Sequence, residues 1–408
     1  MKKKNSVLCI VLSLVMVLGL VIPVMAADVN VYAPTIVDRT PAPGAIEMRL
    51  SVTYVPEYVI PLAIQKLNLH KEAFMPVSYY MGFTMQELAH MQLGNPFTIY
   101  VFNEDFSLMA SNVLVFPLLY QNNIIGIMES VYDTVSGNWV FTFGKSFADE
   151  LNQLRYVDFP NRDFVIGRVG DVLFASNGES ASVILDREVE RYEGATRQRD
   201  VVTYAMMNDM ASSFLLNFAD VTTSIGGDIL DIDVSGQMMV IPLQSQNPLP
   251  VVHVPQTPTG ICGVAAWAAV LNFRFGTRYN NESLTVWMRH YGFTAVLPSM
   301  TDYRDYANRR YSAGVVYWAR VPSINEVRGA IWSRRPMMGN WSIDGRKDTH
   351  AVNIIGYELP PVANLTIYLV LNPWPPGFVQ SVTVHNNSAH SVVFVDGGLT
   401  MRLIEVIF

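Results

Sequence analysis

The sequence predicts an α+β fold built in two parts, and three observations carry that prediction. An apolar helical stretch, Cys262 to Phe275, is followed by strand-like runs to the end of the chain. The amino-terminal half is strand-rich and punctuated by turn residues. The charge changes sign near residue 247: residues 28–247 hold 12 Lys/Arg and 26 Asp/Glu, a net of −14, whereas residues 248–408 hold 13 and 9, a net of +4. A chain of 408 residues exceeds one typical core. Its composition, 50% hydrophobic and 15% charged, is that of ordered globular protein. No block of like charge suggests a nucleic-acid groove, so no nucleic-acid partner is expected.

Residues 1–26 read as a secretory signal peptide, with Lys2, Lys3 and Lys4 as a basic start, an apolar run from Val7 to Val24 and a cleavage site at Val24-Met25-Ala26. The alternative is an uncleaved anchor, because a run of that length approaches a bilayer's thickness. No comparable run follows, so the expectation is a secreted protein with no membrane association after signal cleavage. Residues 27–247 form the acidic amino-terminal domain. Thr84 and Glu87 make a capping box for a short helix to Met91. Phe97–Phe102, Val113–Tyr120, Ile124–Tyr132 and Trp139–Phe143 follow as strands, separated by the turn sequences QNN and SGN. The boundary, QSQNPLPVVHVPQTPTG, contains four prolines and reads as an extended, accessible linker suited to proteolytic cutting.

Residues 248–408 form the second domain. Cys262–Phe275 is apolar around nearly its whole circumference, the mark of a buried helix, and Gly276 is placed to end it. Ser323 and Glu326 form another capping box, for a helix that stops before Pro336. Strands are expected at Pro336–Trp341, His350–Tyr357, Thr366–Leu371, Ser381–His385, Val392–Val395 and Leu399–Phe408.

Only two cysteines occur, Cys9 in the signal segment and Cys262 at the start of the apolar helix. A thiol at a helix amino terminus beside a histidine can have its pKa lowered from about 8.5 to roughly 3.5–7.5, and the thiolate is the nucleophile. His350 opens a predicted strand and Asn372 follows the next one, so neighbouring strands can bring them together. The asparagine oxygen would then orient the imidazole toward Cys262. Gln256, six residues before the thiol, can supply amide donors to a developing oxyanion together with the Cys262 backbone N–H.

The series Gln256, TPTGICG with Cys262, His350-Ala-Val with Gly356-Tyr357, and Asn372-Pro-Trp374 resembles the papain-like clan of cysteine peptidases. Within it the likeness is to secreted bacterial members of the streptopain and staphopain sort and to bacteriocin-processing-like peptidases. The resemblance covers residues 250–408. It implies a two-lobed papain-like catalytic domain, with the cysteine on a helical lobe and the histidine and asparagine on an antiparallel β lobe. It also implies Cys262 as nucleophile, His350 as acid/base, Asn372 as orienter, Gln256 in the oxyanion hole and Trp374 as a shield over the asparagine–histidine bond. The substrate class would be protein or peptide, with no cofactor and no metal. Trp267, rather than a residue directly after Cys262, is the first tryptophan of the helix, and Pro373 follows Asn372 where papain itself has serine. The stretches LGNPF (Leu93–Phe97) and FPLLYQNNIIG (Phe116–Gly126) resemble propeptides of secreted bacterial peptidases. That implies an inhibitory, folding-assisting pro-domain, cut away somewhere between Gly236 and Val252, and the opposite charge of the halves would favour its docking.

Other readings compete. A lone cysteine among apolar residues is more often a core thiol, and it is the ordered set of partners that argues for chemistry. Asp348 reads as a surface charge rather than an orienter of His350. His385 and His390 lack the companions of a metal site. Trp287, Tyr291, Trp318, Trp332 and Trp341 read as core or cleft-wall packing, with Trp341 bordering the cleft. Arg309-Arg310 and Arg334-Arg335 read as solvated or pro-segment contacts. Alternative functions are an amidase on cell-wall peptides and a non-catalytic surface protein with a vestigial site.

Overall fold

Strand-forming sequence runs through both halves, and the strands join across the boundary between them. The computed structural model describes residues 46–102, 108–157, 162–170, 172–186, 222–224, 248–257, 261–294, 298–360, 364–374, 377–385 and 391–408. These lie within one compact unit, Ile36–Phe408. The predicted signal peptide, Gly260, His390 and most of the predicted cutting region lie outside the described residues. The class is α+β: a large mixed sheet and, among the described residues, seven α-helices.

In the amino-terminal half the helices are α1 (Val59–Phe74), α2 (Met85–His90) and α3 (Ala148–Leu154). Its strands are β1 (Ile46–Glu47), β2 (Arg49–Ser51), β3 (Gln92–Leu93), β4 (Phe97–Phe102), β5 (Leu108–Tyr120), β6 (Asn123–Asp133), β7 (Asn138–Gly144), β8 (Tyr156–Val157), β9 (Asp163–Val169), β10 (Val172–Ser176), β11 (Ala181–Asp186) and β12 (Thr222–Ser224). The capping box of α2 forms as read, with the Glu87 N–H donating to Thr84 Oγ1 and the Thr84 N–H to Glu87 Oε2. Between β5 and β6 the two-residue turn Gln121-Asn122 has φ of 47° and 63°, the left-handed pair that matches strand twist in a tight hairpin.

The carboxy-terminal half contributes α4 (Cys262–Phe275), α5 (Asn281–His290), α6 (Met300–Tyr311) and α7 (Ile324–Trp332). Its strands are β13 (Tyr317–Trp318), β14 (Met337–Ile343), β15 (Thr349–Glu358), β16 (Leu365–Leu371), β17 (Val379–His385), β18 (Val393–Asp396) and β19 (Leu399–Ile407). Helix α4 buries every residue from Gly263 to Leu271 and ends at Gly276 with φ of 64°, as its uniformly apolar sequence requires. It is pinned to the sheet where Asn353 Nδ2 of β15 donates to the Ala266 carbonyl at 2.9 Å.

Neighbouring strands pair in the order β18, β19, β14, β15, β16, β17, β7, β6, β5, β4, β9, β10, β11; all these pairings are antiparallel except β4 with β9. The halves meet at β7–β17, where Phe143 pairs with Ser381 and Thr142 with Val382. The Phe141 N–H donates to Thr383 Oγ1 at 2.8 Å beside this junction.

One expectation is refined here and another corrected. The described part of the linker is packed on one side and accessible on the other: Leu249, Val251 and Val254 are buried and Val252 is 64% exposed, and the Leu249 N–H donates to the Ile355 carbonyl of β15 at 2.9 Å. Its prolines suit an extended segment laid on a sheet as well as a free one. Among the aromatic residues, Trp332 is 71% exposed and Trp341 fully buried; Trp341 packs edge-on against Phe394 rather than bordering open space.

Helix α1 places His70 in the junction, fully buried between the rings of Phe74 and Phe143. Its Nδ1 lies 2.9 Å from Ser381 Oγ of β17. Burial, with the Lys66 charge adding, pushes its pKa down to about 3. The folded state therefore refuses a proton that the unfolded chain takes up near pH 6.5. Stability from this group is complete above that value and lost as the pH falls toward 3, at up to about 1.4 kcal/mol per pH unit. Urea midpoints measured at pH 7.5 and pH 5 should fall with acidification in the wild type, and His70→Gln should reduce that fall.

Candidate active site

Cys262 stands at the first position of α4, and its residue is partly exposed. Ile261 precedes it in extended conformation, and no side chain caps the helix. The positive end of the helix dipole therefore lies at the thiol. Tyr303 of α6 lies against this turn: a Cβ on Gly263 would come within 2.5 Å of its hydroxyl. Burial first, then the Cys262 and Asp302 charges, raise the Tyr303 hydroxyl well above its ordinary value.

His350 and Asn372, 22 residues apart in sequence, meet. His350 Nε2 is 2.8 Å from Asn372 Oδ1, and both residues are buried. The indole of Trp374 stacks on the imidazole with ring centroids 3.7 Å apart and planes 18° from parallel, so the bond is screened from water. The Trp374 N–H also donates to Asn372 Oδ1, at 3.1 Å.

Asp396, which the sequence reading did not single out, fixes the chemistry of this pair. It is buried, and its Oδ2 accepts from Asn372 Nδ2 at 2.8 Å. A carboxylate only accepts, so the amide nitrogen must face Asp396 and the amide oxygen must face His350. The His350 Nε2 must then carry a hydrogen, and in the neutral ring Nδ1 is the basic nitrogen. Asp396 Oδ1 accepts in turn from Ser146 Oγ at 2.8 Å and Gln380 Nε2 at 3.3 Å. The only sequence signal for Asp396 is its place before Gly397-Gly398, which marks a hairpin turn.

Gln256 is tied to the same loop, its N–H donating to the Pro373 carbonyl at 3.0 Å. His253, three residues earlier, packs on Gly377 so closely that a Cβ there would lie 2.5 Å from its ring. The structure thus gathers His350, Asn372, Trp374 and the Gln256 backbone in one place. It carries Cys262 on a helix bonded to β15 one turn further along, at Ala266. Asp348 is partly buried in the segment before β15, where its carbonyl accepts from the Ile343 N–H. His385 bonds the Trp139 carbonyl, and among the described residues no group of His, Cys, Asp and Glu is arranged to hold a metal.

No protein-family model matches the chain, and no curated protein does. Among solved structures, a crystal structure of UfSP from C. elegans is similar at a TM-score of 0.22 and 13% identity, over 37% of this chain and 35% of that one.

Proposed function

We propose that the protein is a secreted cysteine peptidase with a two-lobed, papain-like catalytic half. The observation that carries this reading is the hydrogen bond between His350 and Asn372, whose polarity Asp396 sets and Trp374 covers. A histidine held as the Nε2–H tautomer offers Nδ1 as a base. In this reading Nδ1 takes the proton of Cys262, and the thiolate, stabilised by the helix terminus, attacks a peptide carbonyl. The oxyanion takes hydrogen bonds from the Cys262 N–H and the Gln256 side chain. The imidazolium then protonates the leaving amine, and water, activated by the same ring, hydrolyses the thioester.

Secretion is supported by the basic, apolar and small-residue order of residues 1–26. Among the described residues no helix is long and apolar enough to cross a membrane. The amino-terminal half as a removable inhibitor has the propeptide resemblance in its favour, while the sheet shared through β7 and β17 favours a different relation.

The test is reaction of the wild type and Cys262→Ala with a thiol-directed epoxide, alongside cleavage of a denatured protein substrate. Labelling and cleavage are expected of the wild type alone; a wild type that does neither overturns the proposal. Asp396→Asn separates orientation from binding, because the new amide can present either face to Asn372. Its kcat is expected to drop at least about 10-fold with little change in KM, toward the roughly 10⁴-fold loss that a wrong tautomer causes in serine-protease triads.

A further inference from the structure

The carboxylate that orients Asn372 is held in place by the other half of the chain. Asp396 ends β18, and Gly397-Gly398, with φ of 59° and 74°, turn the chain into β19. Four contacts fix this turn. The Val395 N–H donates to Thr142 Oγ1 at 3.1 Å. Ser146 Oγ donates to Asp396 Oδ1 at 2.8 Å. The Gly397 and Gly398 N–H groups donate to the two oxygens of Glu129 at 3.0 and 2.7 Å. All three side chains come from the amino-terminal half, and Glu129 and Thr142 are directly opposed across β6 and β7. The fit is close: a Cβ on Gly398 would lie 2.8 Å from Ile99.

Ser146 shows what this placement costs. It has φ of 32°, a conformation that residues other than glycine seldom adopt, yet it is buried and its hydroxyl reaches Asp396. Strain of this kind persists where the surroundings over-determine it. An inhibitory segment that merely covers a site has no need to build the hydrogen bonds behind it.

We infer that the amino-terminal half is a lasting structural partner of the carboxy-terminal half, and that Ser146 is a positioning residue acting through Asp396 on Asn372 and His350. A cut in the connecting segment then yields a two-chain protein rather than a freed catalytic half. The positioning role rests on the peptidase reading; the lasting association does not.

Two measurements on the full chain test this. First, a site-specific protease sequence is inserted at residue 236, the chain is cut, and the product is run on a gel-filtration column. The two pieces should co-elute and separate only in denaturant; separation in native buffer overturns the association. Second, the rate of Cys262 alkylation by iodoacetamide is followed against pH. Ser146→Ala should shift the profile upward by about one pH unit, a roughly 10-fold loss of rate on its acidic limb. Ser146→Gly, which relieves the backbone, should show the same shift with thermal stability kept or raised. A profile unchanged in both variants overturns the positioning role. A wild-type profile like that of an ordinary thiol sinks the peptidase reading and the positioning role together, while co-elution still decides the association.

Discussion

The organisation of the site depends on one fact of hydrogen-bond chemistry: the Asp396 carboxylate can only accept. Asn372 has a donor end and an acceptor end of nearly equal shape, and by itself could present either to His350. With its nitrogen bound to Asp396 at 2.8 Å, only the oxygen is left for the imidazole. The imidazole must answer with a hydrogen on Nε2, and its basicity is thereby assigned to Nδ1. Trp374 keeps water from competing at the one bond on which that assignment rests. A carboxylate bonded directly to the ring would add its negative charge to the imidazole. Here the charge is set one residue back, and a neutral amide relays the orientation alone.

Local signals in the sequence were legible, and contacts between distant segments were not. The ends of α4 could be read because Cys262–Phe275 is apolar all round and Gly276 is the residue that a left-handed cap favours. The capping boxes at Thr84 and Ser323 could be read because both partners lie within one turn. His350 and Asn372 were found by their positions on successive strands. Asp396 escaped because its partners, Asn372, Gln380 and Ser146, come from three separate segments, one of them 250 residues away. Its own neighbourhood announces only a turn. The buried side of the linker is hidden from the sequence for a related reason: proline spacing reports extended backbone but cannot say whether a sheet lies beneath it. The burial of Val251 and Val254 is settled by what they pack against.

Opposite net charges on the two halves suggested attraction, but the junction works through individual groups. Asp133 of β6 pairs with Arg402 at 2.6 Å, with the carboxylate buried and its pKa held down to about 2: burial works against this, and bonds from Arg402, Ser136 and Ser391 outweigh it. Glu129 accepts from two backbone amides, those of Gly397 and Gly398. Elsewhere in the same junction the acidic half presents basic side chains that burial drives toward their neutral forms: Lys66, its pKa pushed down to about 8, and His70, which is held neutral. Net charge can speed an encounter, but it is buried, hydrogen-bonded groups that fix register.

Burying Asp396 has an energetic consequence that ties folding to reactivity. Moving a carboxylate out of water costs several kcal/mol unless donors replace its solvent shell. Asn372 and Ser146 are among the donors that do so, with Gln380 at a longer distance. Without the amino-terminal half, the Ser146 donor is gone and the Gly397 and Gly398 amides lose Glu129. The carboxylate then loses one of its donors, in a turn that has lost its backing. Such a group relieves its cost by swinging into solvent. That movement frees Asn372 to rotate and removes the constraint on the His350 tautomer. The contacts that hold the halves together are thus the same contacts that keep this carboxylate buried and correctly aimed.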